Sequence, residues 1–232
     1  MIMKKFKQCL ALSLAIIITI GVSGCMNILQ SNESRMLKHL SQKYNGQKFI
    51  TLYMDGGGYF GQGTTKLHCY PKGGDPKADR VWVETWTTKE GERIIQDSYF
   101  GIIIREDLEA EVLAACSGLP LPMKAYLVSG NMCYDDIFDG SKTYADFKQW
   151  INDGNSKRLN VTVSVSADGF DKSEKEQYAN QIHDKLEKDG FCGFASVLFY
   201  PGEAFDQLTR TNHNELAYQY HDEYAIFSES IN

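Results

Sequence analysis

The sequence has no surplus of positive charge: 24 lysines and arginines stand against 30 acidic residues, a formal net charge of −6 at pH 7. A chain that neutralises phosphates needs a basic stripe, so nucleic acid is excluded as a partner. It also lacks a membrane span. The most apolar stretch, Leu10 to Val22, would reach about 20 Å as a helix, short of the roughly 30 Å hydrocarbon core. Only six cysteines occur, widely spaced and with no C-x-x-C, which argues against structural zinc. The H-E-x-x-H, G-x-S-x-G and S-x-x-K signatures are absent too, so no catalytic residue is assigned and no cofactor is expected. Proline is equally scarce. Two of its five copies fall in Leu119-Pro120-Leu121-Pro122, which makes Gly118 to Pro122 the natural joint of the chain.

What the N-terminus does have is a processing signal. Lys4, Lys5 and Lys7 precede the apolar run, which ends in Val22-Ser23-Gly24-Cys25. A basic segment, a short apolar segment and two small residues before a cysteine resemble the lipobox of bacterial lipoproteins. The resemblance implies a signal peptide over residues 1–24, diacylglycerol and a further acyl chain on Cys25, and a short tether over 25–32. It places the protein on the extracytoplasmic face of the cell membrane. Removing residues 1–24 takes three lysines and no acid, so the remaining 208 residues carry a balance of −9. Anionic headgroups repel such a chain, leaving the acyl chains to supply membrane affinity.

Hydrophobic periodicity then divides the rest. Met36, Leu37, Leu40 and Tyr44 predict a helix from about 33 to 44, closed by Gly46. Period-two patterning predicts strands over 47–54, 65–70, 80–88 and 93–97, an antiparallel meander. Ser98 to Ile104 reads as a further buried strand, followed by a helix starting at Glu106 and Asp107. Beyond the prolines, strands at 123–129, 159–166 and 191–200 alternate with helices that begin near Thr143 and Ser173. A short helix near 203–208, a further piece through Tyr218 and a last strand at 224–227 complete the pattern. The expected class is α+β: a helix on an antiparallel sheet over 33–118, then a strand–helix alternating part over 119–232, as two subdomains or one composite domain.

The candidate sites are few. Asp55 to Lys66 is rich in glycine, but it lacks the G-x-x-x-x-G-K-[ST] order and leads into a strand, which excludes a phosphate loop. A binding role for this loop would rest on Tyr59 and Phe60, aromatic residues presented on flexible glycines. Trp82 and Trp86 share one strand face with Glu84; if that face is open it is a stacking or docking surface, but large aromatics are mostly buried, so a core is expected. Asp135, Asp136 and Asp139 lie in one loop, with Asp168, Asp171 and Glu174 at a helix start. Neither group has the EF-hand order, so no metal site is assigned. His39, His68, His183, His213 and His221 are scattered; His213 with Glu215, and His221 with Asp222 and Glu223, form at most a loose cluster, acid–base or surface. Cys69, Cys116, Cys133 and Cys192 are expected to be mostly buried thiols, with one disulfide as the alternative.

Two further segments, Cys69-Tyr70-Pro71-Lys72-Gly73-Gly74-Asp75-Pro76 and Tyr99-Phe100-Gly101-Ile102 with Arg105-Glu106, resemble lipoproteins of Gram-positive Firmicutes. That resemblance implies a membrane-anchored lipoprotein on the outer leaflet and brings no catalytic residues with it. The functional expectation is a binding or interaction module whose partner is a protein or an envelope glycan. The alternative is a cell-envelope hydrolase with a site assembled from dispersed His, Asp and Glu residues.

Overall fold

Met36, Leu40 and Tyr44 repeat every four residues and all are buried, the first two on one face of helix α1 (32–43) and Tyr44 just past its last turn. The helix stops at Asn45 and Gly46, both with positive φ, and the Gly46 N–H donates to the Ser41 carbonyl at 2.7 Å. The computed structural model describes residues 32–56, 63–127, 137–153, 158–219 and 226–231.

Helix α1 lies against an antiparallel meander of four strands in chain order: β1 (Phe49–Gly56), β2 (Thr65–Pro71), β3 (Val81–Thr87) and β4 (Arg93–Asp97). Leu67 and Cys69 of β2 and Val81 and Val83 of β3 face the helix, all at 0% exposure. Each such aliphatic side chain contributes about 1.5–3 kcal/mol by leaving water. Strand β1 changes phase along its length. Thr51 pairs with Cys69 but Tyr53 pairs with His68, so Leu52 is an extra residue, a β-bulge. Phe49 and Met54 both pack on the core although their sequence separation is odd, because the bulge exchanges the two faces between them.

Helix α2 (Tyr99–Ala115) follows β4 at once. Its first turns correct the expectation of a strand over Ser98 to Ile104. Phe100, Ile104, Leu108 and Val112 step by four and are buried in the second core, whereas Tyr99 and Ile102 pack against the first. A locally apolar run suits a buried strand or a helix buried on two sides, and only the second arrangement covers both cores. Asp97 favours the helix by accepting the Tyr99 N–H at 2.9 Å.

The second sheet has the order β5 (Met123–Leu127), β6 (Arg158–Ser166), β7 (Cys192–Tyr200) and β8 (Ile226–Ile231). The β6 and β7 strands run parallel, joined through α4 (Lys172–Lys188), and the outer pairs are antiparallel. Helix α3 (Tyr144–Asn152) begins at Thr143 in a capping box with Asp146. The box of α4 is formed by Asp171 and Glu174, which starts the helix just before Ser173, near where the sequence pattern placed it. Val161, Val163 and Val165 of β6 and Ala195, Val197 and Phe199 of β7 meet Tyr178, Ile182 and Leu186 of α4. Helices α5 (Gly202–Asp206) and α6 (His213–Gln219) form a smaller apolar cluster with Leu198 and Tyr200. The architecture is α+β, an antiparallel sheet with a helix followed by a strand–helix alternating region and a second sheet. No described helix is long and apolar enough to cross a membrane.

Candidate functional site

The register of the first sheet separates its residues into two faces. The inner one is covered by α1. On the outer one, Tyr53, His68 and Trp82 lie in line across β1, β2 and β3. The next row is Asp55, Lys66, Glu84 and Gln96, across all four strands. Ile50 with Tyr70 borders one side, and Trp86 with Ile94 the other. None of these side chains is buried and none belongs to a described hydrophobic cluster; Tyr53 is 45% exposed and Ile50 40%. Trp82 and Trp86 were expected in a core, and the structure overturns this. The inward positions of β3 are filled by Val81, Val83 and Thr85, so strand alternation places both tryptophans on the opposite side.

The rings and charges of this face are ordered. Tyr53 and His68 stack with centroids 4.3 Å apart, and His68 Nε2 lies 3.2 Å from Asp55 Oδ2. Lys66 Nζ is 3.5 Å from Glu84 Oε2 and 5.3 Å from the centre of the Trp82 ring. Stacking and cation–π contact thus hold these side chains in place, with Tyr53 exposed and His68 and Trp82 partly covered.

Two polar clusters lie elsewhere. Asp97 is fully buried, with Oδ2 accepting from Lys43 Nζ at 2.9 Å and Oδ1 accepting from Tyr44 OH at 2.7 Å. Burial alone would raise its carboxyl; His39, Lys43 and Tyr44 together hold it below the usual carboxylate range. The same cluster joins α1, β4 and α2, which is a structural task. Burial and the nearby Asp97 charge push the Cys69 thiol up to about 12, and burial moves Cys116 to about 11, so both unbridged thiols are inert as nucleophiles.

The second cluster gathers Glu109, Arg210, His213 and Tyr126. Arg210 grips Glu109 with two hydrogen bonds of 2.6 Å, and Glu109 Oε1 also accepts the Leu127 N–H at 2.8 Å. His213 stacks on Tyr126 at 4.5 Å, and its Nδ1 donates to the Arg210 carbonyl at 2.8 Å. Burial lowers the His213 pKa, leaving a neutral ring whose Nε2 carries the lone pair. The sequence could not announce this group, because Glu109 and Arg210 are 101 positions apart.

The remaining sequence candidates disperse. Glu215 pairs with exposed Lys77 at 2.7 Å and not with His213. Asp139 binds Ser141, Asp171 and Glu174 cap α4, and Asp168 accepts the Gly202 N–H at 2.8 Å. His183 lies 3.2 Å from the Ala195 carbonyl inside the second core. Among the described residues no three His, Cys, Asp or Glu side chains converge on a metal-sized site. Cys25, Tyr59, Phe60, Cys133, Asp135, Asp136 and His221 lie outside the described residues.

Neither a protein-family model nor a curated protein matches the sequence. Among solved structures, the chain is similar to a DUF5037 family protein from Ruminococcus gnavus, at 16% identity and a TM-score of 0.42, over 84% of this chain and 89% of that one.

Proposed function

We propose that the protein is a lipid-anchored lipoprotein of the extracytoplasmic membrane face, and that the outer face of its first sheet is a binding surface. One observation carries the binding reading: Trp82 and Trp86, with Tyr53 and Ile50, occupy a sheet face on which no described helix packs. A sheet face that leaves Ile50 and Tyr53 exposed and carries two partly exposed tryptophans is suited to an interaction site. The anchoring half rests on the Val22-Ser23-Gly24-Cys25 pattern behind a basic and apolar leader. Two acyl chains give stable attachment where one is marginal.

The hydrolase alternative has one observation in its favour, the neutral His213 oriented through Nδ1. Its weakness lies in the neighbouring carboxylate. Both oxygens of Glu109 are held by Arg210, so Glu109 is committed to an ion pair and not to proton transfer. Binding therefore stands as the conclusion.

Two experiments test it. Cys25→Ala moves the protein from the detergent phase to the aqueous phase in a partition assay, and unchanged partitioning would overturn the anchor. Immobilised protein retains an envelope component that the Trp82→Ala/Trp86→Ala double variant fails to retain. Equal retention by both would rule out this face.

A further inference from the structure

We infer that the anchored domain meets the lipid headgroup surface with the β3–β4 hairpin end of its first sheet, and that its second sheet is held away from the membrane. This rests on the lipid-anchor reading above and adds an orientation to it. The length of chain between anchor and fold, the place where that chain enters the fold, and the division of charge along the sequence all point the same way.

Reach comes first. Seven residue steps separate Cys25 from Asn32. Whatever path they take, they span at most about 25 Å, the limit for a fully extended chain. The entry point is fixed, so fraying does not lengthen this reach. Asn32 is 9% exposed and accepts from Arg93 Nη1 at 3.2 Å. Glu33 Oε1 accepts from Thr51 Oγ1 at 2.7 Å, and Met36 is fully buried one turn further on.

Direction comes next. Arg93 is the first residue of β4 and pairs with Thr87 at the hairpin. Tyr44, at the other end of α1, donates its hydroxyl to Asp97, the last residue of β4. Helix α1 therefore runs along β4 and away from the hairpin, for about 18 Å at about 1.5 Å per residue. The second half of the fold joins at that far end. The Gly140 N–H donates to the Lys43 carbonyl at 2.9 Å, and Asn45 Nδ2 donates to the Gly140 carbonyl at 3.0 Å. Lys77, in the connection from β2 to β3, pairs with Glu215 of α6.

Charge then selects the orientation that the tether permits. Residues 33–118 hold 11 bases and 12 acids, a balance of −1, whereas residues 119–232 hold 10 bases and 18 acids, a balance of −8. The tether end itself is even: Arg35, Lys89 and Arg93 stand beside Glu33, Glu90 and Glu92. An anionic headgroup layer thus repels the second half most, through a field that fades within a Debye length of about 8 Å. The length of α1 exceeds that range. With the hairpin end down, the second half stands outside the field; rolled over, it brings its excess of acids inside.

The test places the lipidated protein in vesicles of phosphatidylcholine and phosphatidylglycerol. A fluorescent amino acid sits at Thr87 or at Gln181, both exposed and uncharged, and energy transfer to acceptor-labelled headgroups reports its height. Gln181 lies farther from the membrane than Thr87 by at least about 18 Å, the length of α1. Equal heights, or Gln181 the nearer, overturn the orientation, while flotation of the protein with the vesicles still upholds the anchor. A protein that fails to float removes anchor and orientation together. The Glu176→Lys/Asp184→Lys/Glu187→Lys variant changes three exposed acids of α4 and brings the second half to −2. Its Gln181 label moves toward the anionic vesicle, and in pure phosphatidylcholine it coincides with that of the wild type. An unmoved label in the anionic vesicle overturns the electrostatic selection. Circular dichroism confirms that each variant keeps its fold.

Discussion

Replacing Asp97 by asparagine asks how much of the first half of the fold depends on one buried charge. Asp97 has 0% exposed side chain and Lys43 only 6%, with 2.9 Å between Nζ and Oδ2. Asparagine keeps an oxygen where Oδ1 accepts from Tyr44 OH and the Tyr99 N–H, so those two hydrogen bonds survive. At the Oδ2 position it puts an NH2 group against the ammonium of Lys43, donor facing donor. Removing one member of a buried ion pair costs about 3–5 kcal/mol, and the retained hydrogen bonds place Asp97→Asn near the low end, about 3 kcal/mol. Urea unfolding of the Cys25→Ala form, with an unchanged denaturant slope, measures it. Adding Lys43→Met removes the misplaced donor contact together with the charge, so the double variant recovers about 2 kcal/mol of that loss. The pH dependence has a definite sign. The folded-state carboxyl lies below its ordinary value, so its stabilisation is complete above the unfolded value of about 3.9 and fades as pH falls below it. The gap between wild type and Asp97→Asn therefore narrows below about pH 4. A cost under about 1 kcal/mol, or a gap independent of pH, would refute the role given to this ion pair.

Three other perturbations have equally definite outcomes. Glu109→Gln breaks the bidentate grip on Arg210 and destabilises the protein by about 2 kcal/mol, while limited proteolysis cuts faster between Gln207 and Asn212. His213→Phe keeps the stack on Tyr126 but cannot take a proton. Because burial holds His213 below its ordinary value, wild-type stability declines as pH falls under about 6.5, and the variant shows a flatter curve between about pH 7 and 5 in thermal unfolding. Gly140→Ala would bring Cβ to 2.9 Å from Tyr44 Cα, where the Gly140 N–H donates to the Lys43 carbonyl; a loss of about 1–3 kcal/mol in chemical denaturation is expected.

Much of the fold could be read from local pattern. The spacing of Met36, Leu40 and Tyr44 marks α1 because a helix brings every fourth side chain to one face. The alternation Val81, Val83 and Thr85 marks β3 because a strand needs period two. Thr143 with Asp146 announces the start of α3, since the cap and its reciprocal bond are four consecutive residues. The apolar run after Ser98 was misleading for a physical reason: a helix wedged between two cores loses the polar stripe that distinguishes it from a buried strand.

The candidate face was legible in composition but not in orientation. Trp82, Glu84 and Trp86 visibly share one side of a strand, yet sequence cannot say which side α1 will cover. That depends on inward packing of β2 and β3 together, and on the extra residue Leu52, which turns Tyr53 outward and Met54 inward. A bulge has no composition of its own; it exists only relative to the strand beside it.

By itself, then, the sequence determined the α+β class, the order of most elements, the acidic balance and the expectation of a lipid anchor at Cys25, because each depends on neighbours along the chain. Only the tertiary structure decided that Asp97 is a buried partner of Lys43, that Glu109 belongs to Arg210, and that two tryptophans face outward. Those three depend on residues brought together across as many as 101 positions, and no local spacing encodes such a distance.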